Sequence, residues 1–107
     1  MSNTGNSIKN DPIREIAGSA ITGVYQKLGG VFLRDIFRLW VTNNANGDVY
    51  LSTDGVTDMM KFSEISARAM DDKTNDFYRK AGTQFWIRFD VVPIAGEGWF
   101  AMEAEYV

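Results

Sequence analysis

The stretch Asn43-Asn44-Ala45-Asn46-Gly47-Asp48-Val49-Tyr50-Leu51-Ser52-Thr53-Asp54-Gly55-Val56-Thr57-Asp58 admits three readings. It is a metal-binding loop, a cluster of catalytic acids, or a set of turns between β-strands. Asn44, Asn46 and Asp48 alternate like the first ligands of a helix–loop–helix calcium site. Such a loop needs glycine at its sixth position and a bidentate glutamate at its twelfth, and Val49 and Gly55 stand there instead. Its flanks also read as strands. Turns account for every residue: Asn and Asp accept hydrogen bonds from nearby backbone, and Gly reaches positive φ without strain. The turn reading therefore decides the fold as all-β.

Pairing parity supports it. On the N-terminal side, Val31–Thr42 is the longest strand candidate, and its odd positions make the better core face. Asp35 interrupts that face, so a bulge is expected there. A three-residue loop, Ala45-Asn46-Gly47, predicts a hairpin with Val41 opposite Leu51 and a left-handed Gly47. Asp54-Gly55 as a two-residue turn then predicts Val49 opposite Met60. Met59–Asp72 fits either one helical face (Phe62, Ile65, Ala69) or short strands, and its strand neighbours favour strands.

The C-terminal third alternates clearly. Phe85, Ile87 and Phe89 share one face of Thr83–Asp90; Phe100, Met102, Ala104 and Tyr106 share one face of Gly98–Tyr106. Folding these into a hairpin predicts Phe89 opposite Phe100, with Trp86 and Arg88 near Trp99 and Glu103 on its outer side. At the other end, residues 1–18 read as a flexible extended arm, with Asp11-Pro12 able to start one helical turn. The expected architecture is an arm over 1–18 and a single antiparallel β-sandwich or jelly roll over 19–107.

Composition narrows the chemistry. The 107 residues include no His and no Cys. A Ser–His or Cys–His nucleophile is impossible within the chain, as are a disulfide and a thiolate metal site. Net charge is −3, against a general phosphate-backbone binder. No apolar run reaches the length of a membrane span, and the polar start lacks the core of a signal peptide. The expectation is a soluble protein made in a cytoplasm, without cofactor, metal, membrane or nucleic acid.

The remaining acids, Asp54 with Asp58 and Asp71 with Asp72, are the best candidates for acid–base work, and solvated turn acids are the simpler reading. The aromatic residues carry more. Trp40, Trp86 and Trp99 interleave with Arg34, Arg38 and Arg88, and with Glu103. Such sets stack sugars or bases, or form the centre of protein interfaces; with an acidic chain, protein contact is preferred.

Two segments add a resemblance. They are Leu39–Asn44 followed by Asp48–Asp58, and Asp72-Lys73-Thr74-Asn75 followed by Ala81–Ile87 and Gly98–Glu103. Their order of strands and turns resembles that of small tailed-bacteriophage virion proteins, over about residues 33–107. The resemblance implies a non-enzymatic structural protein present in multiple copies. Capsid decoration or cement comes first, and head–tail neck or tail attachment second. The partners it implies are other virion proteins, such as the major capsid, portal, neck or tail proteins, with a homo-oligomer expected. A carbohydrate- or receptor-binding module of a tail fibre, with Trp40, Trp86 or Trp99 as platform, is the alternative from another class.

Overall fold

The computed structural model describes residues 9–73 and 77–106. The strands are β1 (Lys9–Asn10), β2 (Arg14–Ala17), β3 (Gln26–Lys27), β4 (Arg38–Asn43), β5 (Val49–Ser52), β6 (Met60–Phe62), β7 (Ser66–Asp71), β8 (Trp86–Phe89) and β9 (Trp99–Tyr106). A short 3-10 turn at Gly18–Ala20 follows β2. Two antiparallel sheets form a β-sandwich. Sheet A runs β1/β2–β9–β4–β7, with β1 and β2 end to end along β9; sheet B runs β3–β8–β5–β6.

The core lies between the sheets and is built by alternation. Leu39 and Val41 of β4 and Phe100, Met102 and Ala104 of β9 point in from sheet A. Val49 and Leu51 of β5 and Ile87 and Phe89 of β8 point in from sheet B. Phe85 and Phe32 meet edge to face at 5.4 Å at one end of this core. Of the inward residues expected of the C-terminal strands, Phe85, Ile87, Phe89, Phe100, Met102 and Ala104 are buried, and Tyr106 at the strand end is only half-buried.

Their partners differ from expectation. β4 and β5 do not form a hairpin: β4 pairs with β7 and β9, and β5 with β6 and β8. Val41 and Leu51 belong to opposite sheets, and so do Phe89 and Phe100. The reason is physical. Alternation dictates which face is apolar, and a chain crossing between sheets satisfies it as well as a hairpin does. The segments 44–48 and 90–98 are long enough to span the roughly 10 Å between packed sheets. The third hairpin forms, in another register. Val49 faces Phe62 and Leu51 faces Met60, so residues 53–59 make a wider loop than a two-residue turn.

Other local corrections follow. Gly47 is not among the positive-φ glycines. It is small because a Cβ there would come within 3.0 Å of the Phe89 ring. Gly98 is the demanding position: φ is +71° and a Cβ would meet the Asn44 carbonyl oxygen at 1.8 Å. The bulge falls two residues after Asp35. Phe37 donates its N–H to the carbonyl oxygen of Glu105, the residue paired with Arg38, so two residues face one. Phase switches there: Phe32 and Ile36 are buried before it, Leu39 and Val41 after it.

Of the expected arm, residues 1–8 lie outside the described residues. Lys9–Ala17 are extended but docked on β9, and no helical turn starts at Asp11. Arg14 holds them down. Its guanidinium pairs with Asp11 at 3.2 Å, donates to the carbonyls of Leu28 and Gly30, and lies 3.8 Å over the Phe32 ring. The sandwich therefore takes in these residues as well.

Candidate functional site

Inward-facing Leu39, Val41 and Asn43 force Arg38, Trp40 and Thr42 onto the outer face of sheet A. Register then assembles the face. Trp40 lies between Glu103 of β9 and Ala69 of β7; Thr42 lies between Ala101 and Ala67; Arg38 lies between Glu105 and Asp71. Trp99 and β2 complete one side, with Ala17 opposite Trp99 and Glu15 opposite Ala101. Small neighbours, Ala69 beside Trp40 and Ala17 beside Trp99, leave both tryptophans partly uncovered: Trp40 is 47% exposed and Trp99 36%. A shallow groove of about 330 Å³ runs between them, lined by Ile13, Glu15, Trp40, Thr42, Trp99 and Glu103 among others.

Glu105 sets this face. One carboxylate oxygen accepts from Arg38 at 2.9 Å and the other accepts the Trp40 indole N–H at 3.3 Å. The indole is thereby held in place before any partner arrives, which lowers the ordering cost of contact. Glu105 was not among the expected site residues. Its parity with Arg38 and Trp40 was visible, but their cross-strand pairing was not.

The seven expected site residues are divided among three places. Arg38, Trp40, Trp99 and Glu103 share the outer face of sheet A. Trp86 and Arg88 lie on the outer face of sheet B, on the far side of the molecule, because β8 and β9 belong to different sheets. Arg34 lies in a cleft at one end of the sandwich, beside Arg38. Arg88 pairs with Asp58 at 2.9 Å rather than lying near Glu103.

The outer face of sheet B is satisfied from within. Arg88 sits over the rings of Tyr25 and Tyr50, at 5.3 and 4.8 Å. Lys61 bridges Asp90 at 3.1 Å and Asp48 at 3.5 Å, and Lys27 lies over Trp86 at 5.5 Å. The turn at Gly55 packs against the Trp86 ring. Burial first, then the hydrogen bond to Asp58, pushes the Tyr25 phenol up to about 12.

The opening acids are turn residues in this structure. Asp54 accepts the N–H groups of Thr57 and Val56 and the hydroxyls of Ser52 and Thr57. Those bonds, the backbone ones foremost, hold its carboxyl far below the usual carboxylate range. Asp58 is lowered by its hydrogen bond from Tyr25 and then by Arg88. Asp48 accepts the Glu64 N–H, and Asn46 accepts the Glu97 N–H while donating to the Ala95 carbonyl. Asp71 accepts the N–H of Lys73. Among the described residues, no three of Asp, Glu, His or Cys gather as metal ligands would. No helix of the described residues is long and apolar enough to cross a membrane.

Compared with family models, curated proteins and solved structures, the chain has no match among them.

Proposed function

We propose that this chain is a non-enzymatic structural protein of a tailed-bacteriophage virion, binding other virion proteins in multiple copies as a capsid decoration or cement protein. The observation that carries the reading is the outer face of sheet A. Two exposed tryptophans stand on it among alanines, one of them locked by Glu105. Exposed aromatic surface held rigidly is what interface centres use. The strand-and-turn order of residues 33–107 supplies the virion context. Attachment at the neck or tail is the same reading at another address. Repetition by symmetry would let modest single contacts sum to firm adhesion. Co-sedimentation of the purified chain with phage heads lacking it tests the idea. Wild type should pellet with heads, and Trp40→Ala should lose most of that binding; equal pelleting of the two, or none by wild type, contradicts it.

A second reading rests on the groove itself. Trp40, Trp99, Thr42, Glu15 and Glu103 offer a ring face with hydroxyl and carboxylate partners, the chemistry that recognises a sugar. A saturable change in tryptophan fluorescence with host polysaccharide would favour it over protein contact.

A further inference from the structure

We propose that copies of this chain associate head to tail, with the apolar loop tip at one end of the sandwich seated in the cleft at the other. The tip is formed by the segments around 22–24, 63–65 and 91–97, which the pairings Asn43 with Ser66, Val49 with Phe62 and Val49 with Phe89 bring to one end. Val24, Ile65, Val91, Val92 and Ile94 are all exposed there, and Ile94 is fully exposed at 109%. Isolated exposed aliphatics are ordinary; five at one end are not. Ile65 adds a second, independent observation. It is the non-glycine residue with positive φ, +53°, among the described residues. A β-branched side chain is the worst choice for that backbone, yet it stands 68% exposed. Strain that serves no burial within the chain points to a use outside it.

The opposite end holds the complementary surface. A cleft of about 780 Å³ is lined by Leu33, Phe37, Tyr78 and Ala81 together with Arg34, Arg38 and Lys73. Leu33 is 79% exposed at its rim. Its volume lies in the range that accepts a short segment of chain.

Charge selects the occupant. At the tip, Lys61 is already shared by Asp48 and Asp90, and the carboxylates of Glu64 and Glu97 have no partner among the described residues. In the cleft, Asp35 is held by Tyr78 and the Ala81 N–H, and Arg38 is already paired with Glu105 outside it. Asp71 is engaged by the Lys73 N–H. Arg34 and Lys73 have no acidic partner among the described residues, while neighbouring Lys80 acts on Asp35 through its charge; Asp72 alone is an unengaged acid. Uncommitted charge is thus negative at the tip and mainly positive at the cleft. Like charge would repel a tip–tip contact, and an anionic bilayer would repel the tip as well. A contact between different surfaces of identical chains closes into a ring or runs on as a filament. It leaves the Trp40–Trp99 face free, and so stands apart from the virion reading.

Sedimentation velocity over a range of concentrations tests this with two variants at exposed positions, Ile94→Asp at the tip and Leu33→Asp at the cleft. Thermal unfolding of each should match wild type. Wild type should form species larger than monomer that weaken in high salt, while each variant alone stays monomeric. Mixed one to one, the variants should form a dimer and nothing larger, because one intact tip and one intact cleft remain. A monomeric wild type overturns the proposal, as does assembly by either variant alone or a mixture that stays monomeric at the highest concentration.

Discussion

Asn43 is the residue on which most of the structure turns. It ends β4 facing the core, fully buried. Its amide donates to the carbonyls of Gly47, Phe62 and Ser63, and its oxygen accepts the Ala45 N–H. One side chain thus ties a strand of sheet A to the end of β6 in sheet B and shapes the crossing between them. Asn43→Ala would strand several buried groups, each costing about 1–3 kcal/mol. A loss of about 3 kcal/mol or more is expected, read as a lower denaturant midpoint. Asp54 makes a pH prediction. Its folded carboxyl titrates below its unfolded value of about 3.9. Its contribution is therefore present above that value and is lost progressively below it, as pH falls toward and through the folded one. Asp54→Asn should flatten the fall of the thermal midpoint on acidification. Tyr25 works in the opposite direction. With its phenol raised to about 12, stability holds below about pH 10 and declines above it, as the unfolded phenol ionises first. Tyr25→Phe should remove much of that alkaline decline.

At the scale of elements, what alternation could and could not tell is clear from particular strands. The inward sets Phe85, Ile87, Phe89 and Phe100, Met102, Ala104 were legible because period two assigns faces directly. Neighbours were not legible, because Val41 and Leu51 look toward the same core whether they lie side by side or across it. The error carried over to the candidate site: placing β8 beside β9 merged two outer faces that lie on opposite sides of the molecule. Trp40 and Trp99 were found as aromatic outward positions. Glu105 and Ile65 were missed, since a hydrogen bond across strands and a left-handed isoleucine leave no local signal. Edge strand β7 shows a further device. Arg68 turns toward the sandwich, 4.6 Å over the Phe62 ring, and donates to the Lys61 carbonyl. An inward charge on an edge discourages pairing with a stray strand. Two variants probe the turns. Ile65→Gly should raise stability by about 1 kcal/mol by relieving the left-handed strain, measured by thermal unfolding. Gly98→Ala should lower it by about 3 kcal/mol or more, because its Cβ has no room against Asn44.

For the whole molecule, the two sheets divide the work between them. Sheet B spends its outer polar groups on one another: Arg88 with Asp58 and the two tyrosines, Lys61 with two aspartates. Sheet A leaves Trp40 and Trp99 partly exposed, beside Ala69 and Ala17. A chain without His or Cys has little equipment for nucleophilic chemistry, and this face carries two of its three tryptophans at the surface. Truncating both tryptophans should therefore remove adhesion while the chain still folds, with stability lowered only by the part of each ring that the fold buries. The most direct measurement is the density of this chain in an intact virion, at a resolution that shows its orientation. The account predicts many copies, each with the Trp40–Trp99 face against a neighbouring protein. A virion without the chain, or one in which that face opens onto solvent, would contradict it.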